Sequence, residues 1–314
     1  MKQKGVFFIA IVAALLLCTG CEKVVEFDIG ETDRDVVVNS LPCTDSMLFV
    51  NLTYTRFFLD NREFLPVTNA DVSVEVNGVM HTFSSREGAN YLFNYLCTEG
   101  DTLTVHVNVE GKNEIVGGTR VPALPAIDSL SMILDTTMPF LNSGEVSFLL
   151  SDNATQSNYY YIFITERDSG SRWNEWYHKF DTIDTVYNAY INCMDLSITS
   201  SSVNSSEGIL GYFNTLLFTD SLINGEEHKI SMSIIIPKDT AEHPLQRDYT
   251  LVIESLSREA YLYRRAILQA TSMSQYFAEP AEIYTNLGRG NLGIFAAIAK
   301  RVYPITFIYK ETEK

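Results

Sequence analysis

The sequence predicts a mainly β fold, with an N-terminal immunoglobulin-like β-sandwich followed by a second antiparallel β-rich domain that carries one packed α-helix. Apolar and polar residues alternate in 71–76 and in 102–109, which places one side of each segment on a core and the other in water. Asn77-Gly78 follows the first run and precedes another, and this pair favours the type I′ turn of a β-hairpin.

The first domain is predicted at residues 36–122, and about seven short strands in this range suit an immunoglobulin-like sandwich. The predicted strands are residues 36–41, 47–58, 71–76, 79–84, 91–96, 102–109 and 114–121. Pro122 and Pro125 flank residues 123–124, and a proline-rich joint of this kind predicts a domain boundary.

The second domain is predicted at residues 126–314 and is also mainly β. Its predicted strands are residues 129–134, 145–150, 159–166, 173–180, 185–192, 210–218, 228–236, 249–255 and 303–309. One helix is predicted near 257–275, because Ser257 is a suitable N-cap and Glu259 lies in the first turn. Its apolar stripe, which we expect to cover one face of the sheet, consists of Ala260, Tyr263, Ile267 and Ala270.

Composition excludes several classes of partner. The chain has 314 residues, of which 46% are hydrophobic and 20% are charged, so it is long and apolar enough to fold. Its 23 Lys and Arg residues against 39 Asp and Glu residues give a net charge of −16. Nucleic acid is therefore not an expected partner, because a phosphate backbone requires clustered positive charge.

The N-terminus predicts a lipoprotein signal peptide at residues 1–20. Lys2 and Lys4 precede an apolar stretch at 5–17 that is too short to span a membrane. The sequence LCTGC at 17–21 resembles the lipobox of bacterial lipoproteins, although Cys18 stands where leucine is commonest. The resemblance implies that Cys21 is lipidated and palmitate-bearing and holds the protein on a membrane; the alternative is an ordinary secretory signal followed by a chance cysteine.

Residues 21–35 form an acidic tether between the predicted anchor and the fold. Two interpretations remain open: a solvated spacer, or a sorting signal, since short acidic stretches behind the acylated cysteine resemble the surface-export signal of Bacteroidota lipoproteins. The cysteines left in the mature fold are Cys43, Cys97 and Cys193, an odd number. Cys43 and Cys97 bridged by a disulfide, or three buried free thiols, are both compatible with this pattern.

No motif in the sequence predicts catalysis, a metal or a cofactor, so we expect a protein that is not an enzyme. The run GRGNLG at 288–293 fits the dinucleotide fingerprint, but too few residues follow it for a βαβ unit, and we expect a tight turn or bulge instead. The five histidines lack HxH and HExxH spacing, and no GxSxG elbow occurs.

Two further patterns predict sites. Trp173, Trp176 and Tyr177 crowd one predicted strand and are candidate ligand contacts, with ordinary sheet packing as the alternative. Asp followed by Ser or Thr and then by an apolar residue or Thr recurs eight times and resembles the O-glycosylation sequon of Bacteroidota envelope proteins; turns before strands would also explain it. The candidate acceptors are Ser46, Thr102, Ser129, Thr136, Thr182, Thr185, Ser221 and Thr240.

The sequence also resembles a family of Bacteroidota lipoproteins, domain-of-unknown-function family 4249. The resemblance is carried by LSREAYLY at 256–263, FAEP at 277–280 and YTNLGRGNLGIF at 284–295, and by VTNADV at 67–72 and GDT at 100–102. It implies an outer-membrane lipoprotein, often encoded beside a TonB-dependent transporter, and it supplies no catalytic residues.

We therefore expect a non-enzymatic accessory or ligand-capture component of a TonB-dependent uptake system, at the cell-surface face rather than the periplasmic face. A structural adhesin or fimbria-anchoring lipoprotein is the alternative, and a secreted hydrolase is the least supported class.

Overall fold

The computed structural model describes residues 34–57, 60–137, 141–174, 176–199, 214–237, 246–271, 283–306 and 308–309. The predicted signal peptide, Cys21 and all but the last two residues of the tether lie outside these residues, as does Thr240. The described chain contains nineteen strands and two α-helices, which confirms the predicted mainly β class.

The first sandwich consists of two sheets that enclose one apolar core. Its strands are β1 (Val36–Ser40), β2 (Met47–Tyr54), β3 (Ala70–Val76), β4 (Val79–Thr82), β5 (Ser85–Glu87), β6 (Asn90–Leu96), β7 (Thr102–Val109), β8 (Ile115–Arg120) and, from near the end of the chain, β17 (Leu292–Phe295). One sheet has the order β17-β1-β2-β6-β5 and the other has the order β4-β3-β7-β8.

The alternating pattern that predicted these strands produces the core of the first sandwich. Val72 and Val74 of β3 and Val105 and Val107 of β7 are completely buried, while the residues between them are exposed or half-buried. Asn77 and Gly78 have φ values of 50° and 85°, as a type I′ turn requires, and β3 and β4 pair on either side of them. The predicted hairpin is thereby confirmed.

A buried carboxylate organises one end of this sandwich. Asp101 accepts hydrogen bonds from the Asn77 side-chain amide at 2.7 Å, from the Tyr95 hydroxyl at 2.8 Å, and from the backbone amide and hydroxyl of Thr98 at 2.8 and 3.0 Å. Burial opposes ionisation of Asp101, but these hydrogen bonds outweigh burial and lower its pKa below the ordinary 3.8. Asp101 therefore ties two turns to the end of β6.

Strand β17 lies within the predicted second domain, yet it is the edge strand of the β17-β1-β2-β6-β5 sheet of the first sandwich. It pairs in parallel with β1, with Val37 opposite Leu292 and Ser40 opposite Phe295. Gly293 has a φ of +101°, and a Cβ at this position would collide with the backbone of Val38. Glycine is therefore required for the close approach of the two strands.

The second sandwich is likewise built from two sheets around one core. Its strands are β9 (Ala126–Asp135), β10 (Leu141–Ser151), β11 (Tyr159–Asn174), β12 (Lys179–Asn188), β13 (Ile191–Asn192), β14 (Leu216–Thr219), β15 (Glu227–Pro237), β16 (Gln246–Leu256), β18 (Ile298–Ile305) and β19 (Ile308–Tyr309). The sheets have the orders β13-β15-β10-β9-β19 and β12-β11-β16-β18, and β14 also pairs with the start of β11. A short helix, α1 (Leu196–Thr199), follows β13.

The strand predicted at 173–180 is wrong. Strand β11 ends at Asn174, residues 176–178 form a turn, and β12 begins at Lys179. Among the described residues, β11 pairs with β16 as far as Ser169 and Gln246, and with β12 as far as Asn174 and Lys179. We call β11 beyond Ser169 and the paired half of β12 the β11–β12 arm, which ends in the turn at 176–178.

The predicted helix is present as α2 (Arg258–Thr271). The Ser257 side chain caps it by accepting a hydrogen bond from the Ala260 amide at 3.2 Å, which confirms the N-cap. Ala260 and Tyr261 are buried in a third apolar cluster with β16 and β17, so the helix covers one face of a sheet as expected. The predicted stripe is wrong in its second half, because Ile267 is 37% exposed.

The three described thiols are free and buried, and no disulfide joins Cys43 to Cys97. Burial raises the pKa of Cys43 to about 11 and that of Cys97 to about 12, and it also raises the pKa of Cys193. These thiols are therefore structural rather than reactive at neutral pH.

Contacts group Asp35–Lys314 into one compact unit. Within the described residues, none of the helices has the length and apolar character needed to cross a membrane.

Candidate functional site

A cleft with a volume of about 1150 Å³ lies where the ends of the two sandwiches meet. We call it the inter-sandwich cleft. Its walls are the edges of β7 and β8, the joint at 121–123, the loop at 153–159 that precedes β11, and the junction of β16 with α2. Small-molecule pockets usually have volumes of roughly 300–1,000 Å³ and apolar linings. This cleft is larger and rich in hydroxyl and amide groups, so it suits a polar ligand of more than one residue or sugar unit.

Charge is balanced in the cleft, although the whole chain is strongly acidic. Two arginines, Arg120 and Arg258, and two glutamates, Glu99 and Glu259, line it. Glu99 accepts a hydrogen bond from the backbone amide of Leu124 in the joint at 3.3 Å, and Arg120 donates to the carbonyl of Gly100 at 3.3 Å. These contacts hold Glu99 and Arg120 against the first sandwich.

The loop that ends at Asn158 is fixed by the carboxylates of Asp152 and Asp220. Asn158 donates its backbone amide to Asp220 at 2.7 Å and its side-chain amide to Asp152 at 3.0 Å. Asp152 also accepts from the Tyr160 hydroxyl at 2.5 Å and the Gly225 amide at 2.9 Å. Burial and the nearby Asp152 charge raise the pKa of Asp220. The wall of the cleft is thus preorganised by a hydrogen-bonded network.

The segment 286–297 fastens the other wall. The Asn286 side chain donates to the carbonyls of Gly118 at 2.9 Å and Phe295 at 2.7 Å, and accepts from the Phe295 amide at 3.1 Å. The Thr119 hydroxyl accepts from the Ala297 amide at 3.1 Å. Leu287 is buried against Gly117, where a Cβ would lie 2.6 Å from its side chain. The glycine-rich run at 284–295 therefore has a structural role in joining β8 to β17.

The structure around residues 288–293 does not fit a dinucleotide-binding motif. Gly288 and Gly290 have positive φ and belong to a turn, as expected, while Gly293 lies in β17. A dinucleotide site requires this motif to open a helix, and here it opens a strand.

A serine, a histidine and an aspartate meet beside α1, which the sequence analysis did not predict. His228 Nε2 lies 2.5 Å from Asp195 and 3.0 Å from Ser197 Oγ, and Ser197 Oγ donates to Asp195 at 2.5 Å. Burial opposes ionisation of Asp195, but the hydrogen bonds from Ser197 and His228 lower its pKa. A catalytic relay uses one imidazole nitrogen for the acid and the other for the serine. Here both contacts fall on Nε2, so this arrangement caps α1 rather than activating Ser197.

A buried ionic cluster lies on the inner face of β11 and β16. Arg247 Nε is 3.4 Å from Glu166 and 3.3 Å from Asp168, and the Tyr187 hydroxyl donates to Asp168 at 3.1 Å. Burial raises the pKa of Glu166, and the adjacent Asp168 charge adds to this effect. The cluster pairs neighbouring strands and does not border the cleft.

The predicted aromatic contacts lie elsewhere. Trp176 and Tyr177 are in the turn at the tip of the β11–β12 arm, where they are 92% and 73% exposed. Trp173 lies in β11 opposite Phe180 of β12. The described lining of the cleft includes none of these residues.

The seven candidate glycosylation acceptors within the described residues are all exposed, and Thr102 also lines the cleft. Accessibility is therefore compatible with the sequon interpretation at these positions, while modification itself stays a prediction.

In the part of the chain that the structure describes, no group of three or more His, Cys, Asp or Glu side chains could hold a metal ion.

Comparison with protein families gives one match. The model for the domain of unknown function DUF4249 matches residues 22–303. The chain belongs to the DUF4249 family. The DUF4249 region begins one residue after the predicted lipidation site and includes both sandwiches up to β18. No match to the chain was found among curated proteins.

Sequence reasoning missed the cleft in this DUF4249 protein. Its residues come from four separate stretches, near 99–104, 118–123, 153–159 and 255–259. Two sequence features lie at this cleft: the proline joint between the two β-rich regions and the capped start of α2. Both were interpreted as structural.

Proposed function

We propose that this protein is a lipid-anchored outer-membrane protein that captures a polar ligand in the inter-sandwich cleft and delivers it to a TonB-dependent transporter, without catalysing a reaction. The cleft carries this proposal, because a preorganised polar cavity of about 1150 Å³ is suited to binding a ligand of substantial size.

The anchor is supported by the lipobox-like sequence that ends at Cys21 and by the resemblance to Bacteroidota lipoproteins. Several acyl chains on one cysteine exceed the two signals that stable membrane attachment requires. The 14 residues at 22–35 are long enough, at about 3.5 Å per extended residue, to let the fold reach roughly 50 Å from the bilayer. This reach would let the fold contact a transporter in the same membrane.

The absence of catalysis is supported by the chemistry of the cleft. Its described lining contains no histidine, cysteine or lysine that could act as a base for the serine and threonine hydroxyls there. The one described Ser-His-Asp cluster has a geometry that does not activate serine.

The proposal is tested by purifying the tagged chain from native outer membranes. We expect a β-barrel transporter to co-purify, and we expect Cys21→Ala to shift the protein to the soluble fraction. Ser157→Trp, which fills the cleft at an exposed loop position, should preserve transporter binding and abolish ligand retention, whereas Thr182→Trp on exposed β12 should change neither. Ladders of polymerised subunits in place of a transporter would contradict uptake and favour the fimbrial role.

A further inference from the structure

We infer that the end of the inter-sandwich cleft at α2 is a subsite for a carboxylate group of the captured ligand. This inference deepens the proposed function and rests on it. It is carried by two independent features of the described residues: backbone amides at the helix N-terminus, and a buried hydroxyl beside them.

The amides at the start of α2 are accounted for one by one. An α-helix leaves its first four N–H groups without an intrahelical acceptor. The Ser257 amide donates to the Ala297 carbonyl at 2.9 Å, and the Ala260 amide donates to the Ser257 hydroxyl at 3.2 Å. The remaining two belong to Arg258 and Glu259, and both of these residues line the cleft. Two donors without an intrahelical acceptor therefore lie at the positive end of a 14-residue helix whose first two residues line the cavity.

Ser255 supplies the second feature. It is 3% exposed and lines the cleft at the end of β16, and its hydroxyl makes no hydrogen bond to another described residue. A buried hydroxyl without a partner is unfavourable, so such groups usually have a role that satisfies them. An oxygen of a bound ligand at this end of the cleft is the acceptor that it lacks.

Two arginines can pair with an anion at this end of the cleft. Arg258, the first residue of α2, places an exposed guanidinium at the same end of the cleft, and Arg120 lines it from β8. The carboxylate of Glu259 accepts a hydrogen bond from Thr119 at 3.4 Å, which draws it towards the first sandwich. A planar carboxylate matches the forked donors of arginine and accepts backbone amides as well.

The rest of the cleft indicates what carries the carboxylate. Asn153 and Gln156 line the loop wall with polar side chains, which suit hydroxyl or peptide groups rather than an apolar chain. Two ligand sources share this chemistry: an acidic oligosaccharide and a peptide with a free C-terminus.

The test is calorimetric titration of the mature chain in detergent with two matched pairs of probes. The first pair is trigalacturonate and its methyl ester, and the second is a tripeptide acid and its amide. We expect the acid of one pair to bind at least tenfold more tightly than its neutral partner, and the pair that shows this difference identifies the source.

Variants assign the binding to this end of the cleft. Arg258→Gln should lower the affinity for the preferred acid by about 10–100-fold, because a hydrogen bond between charged groups is lost. Arg265→Gln, at an exposed position of the same helix that does not line the cleft, is the matched control and should have no effect. Glu259→Gln should strengthen binding, since it removes a negative charge.

Ser255→Ala separates a binding role from a structural one. This substitution should lower the affinity for the acid several-fold. The midpoint of urea unfolding should be unchanged or raised, because no hydrogen bond within the protein is lost. Equal affinity for acid and neutral probes, no binding of either acid, or an acid affinity that Arg258→Gln leaves unchanged would overturn the carboxylate subsite. Transporter co-purification is independent of these titrations, so each proposal fails on its own measurement.

Discussion

Replacing Gly293 with alanine should destabilise the protein far more than an ordinary glycine substitution. Gly293 has a φ of +101°, and a Cβ on it would collide with the backbone of Val38 across the β1–β17 pair. Neither backbone is free to move without breaking the pairing, since the Ala296 amide just beyond β17 also donates to the Ser40 carbonyl at 3.1 Å.

The expected magnitude has two parts. A non-glycine residue held in this backbone region costs about 1–3 kcal/mol. Displacing β17 from β1 also removes backbone hydrogen bonds that contribute about 0.5–1.5 kcal/mol each. We therefore expect a loss of about 3–5 kcal/mol, which is a large fraction of the roughly 5–15 kcal/mol by which a domain is stable.

Gly290→Ala is the matched control. Gly290 has a similar φ of +83° and belongs to the same glycine-rich run, but nothing lies within 4 Å of its Cβ position. Its substitution should cost only the backbone term of about 1–2 kcal/mol. Both substitutions reduce the conformational entropy of the unfolded chain equally. The difference between their losses in unfolding free energy therefore measures the contribution of the close approach of β17 to β1.

The measurement is urea unfolding of the mature chain, followed by far-ultraviolet circular dichroism, with the two variants and the wild type compared at one pH. If Gly293→Ala were no more destabilising than Gly290→Ala, the parallel pairing of β17 with β1 would be refuted.

Three further predictions concern two hydrogen-bonded polar side chains and the buried thiols. Asn286→Ala should lower the free energy of unfolding by about 2–4 kcal/mol in urea, because it removes three hydrogen bonds; a loss below about 0.5 kcal/mol would contradict the role of this side chain. The folded-state pKa of Asp101 lies below 3.8, so its contribution to stability is complete above that pH and is lost as the pH falls through the lowered value. The free energy of unfolding of Asp101→Asn should accordingly change less between pH 5 and pH 3 than that of the wild type. Asp71→Asn, at an exposed position, should keep the wild-type pH dependence. The three buried thiols should react with Ellman's reagent at pH 8 only after unfolding, and rapid labelling of the native protein would show that they are accessible.

Sequence reasoning predicts the first sandwich well, because its strands are half-buried and alternate strictly. Strand β7 has the predicted bounds Thr102–Val109, and the Asn77-Gly78 turn fixes the register of the neighbouring hairpin. In these segments, local propensity, side-chain period and turn chemistry all favour the same structure.

The errors have specific physical causes. Residues 173–180 are rich in aromatic side chains with high strand propensity and contain neither glycine nor proline, so nothing marks the turn at 176–178. That turn instead places the non-glycine His178 at a φ of 47°. Strand β17 was missed because it is short and includes Gly293, and its partner lies at the opposite end of the chain.

The inter-sandwich cleft could not be predicted for a different reason. A cavity between two folded bodies depends on how their ends meet, and no local pattern encodes that arrangement. Ser255 is an example. Its sequence position predicts only a strand residue, and the structure is needed to show that its hydroxyl is buried without a hydrogen-bond partner.

The pairing of β1 with β17 has a consequence for biogenesis. Synthesis from the N-terminus delivers Val37 early and Leu292 late, so the sheet that contains β1 stays incomplete until residues 292–295 have been made. During that interval β1 is an open edge whose backbone groups invite pairing with other chains. Shielding of this edge by a holding chaperone would be most valuable while the remaining residues are still in transit.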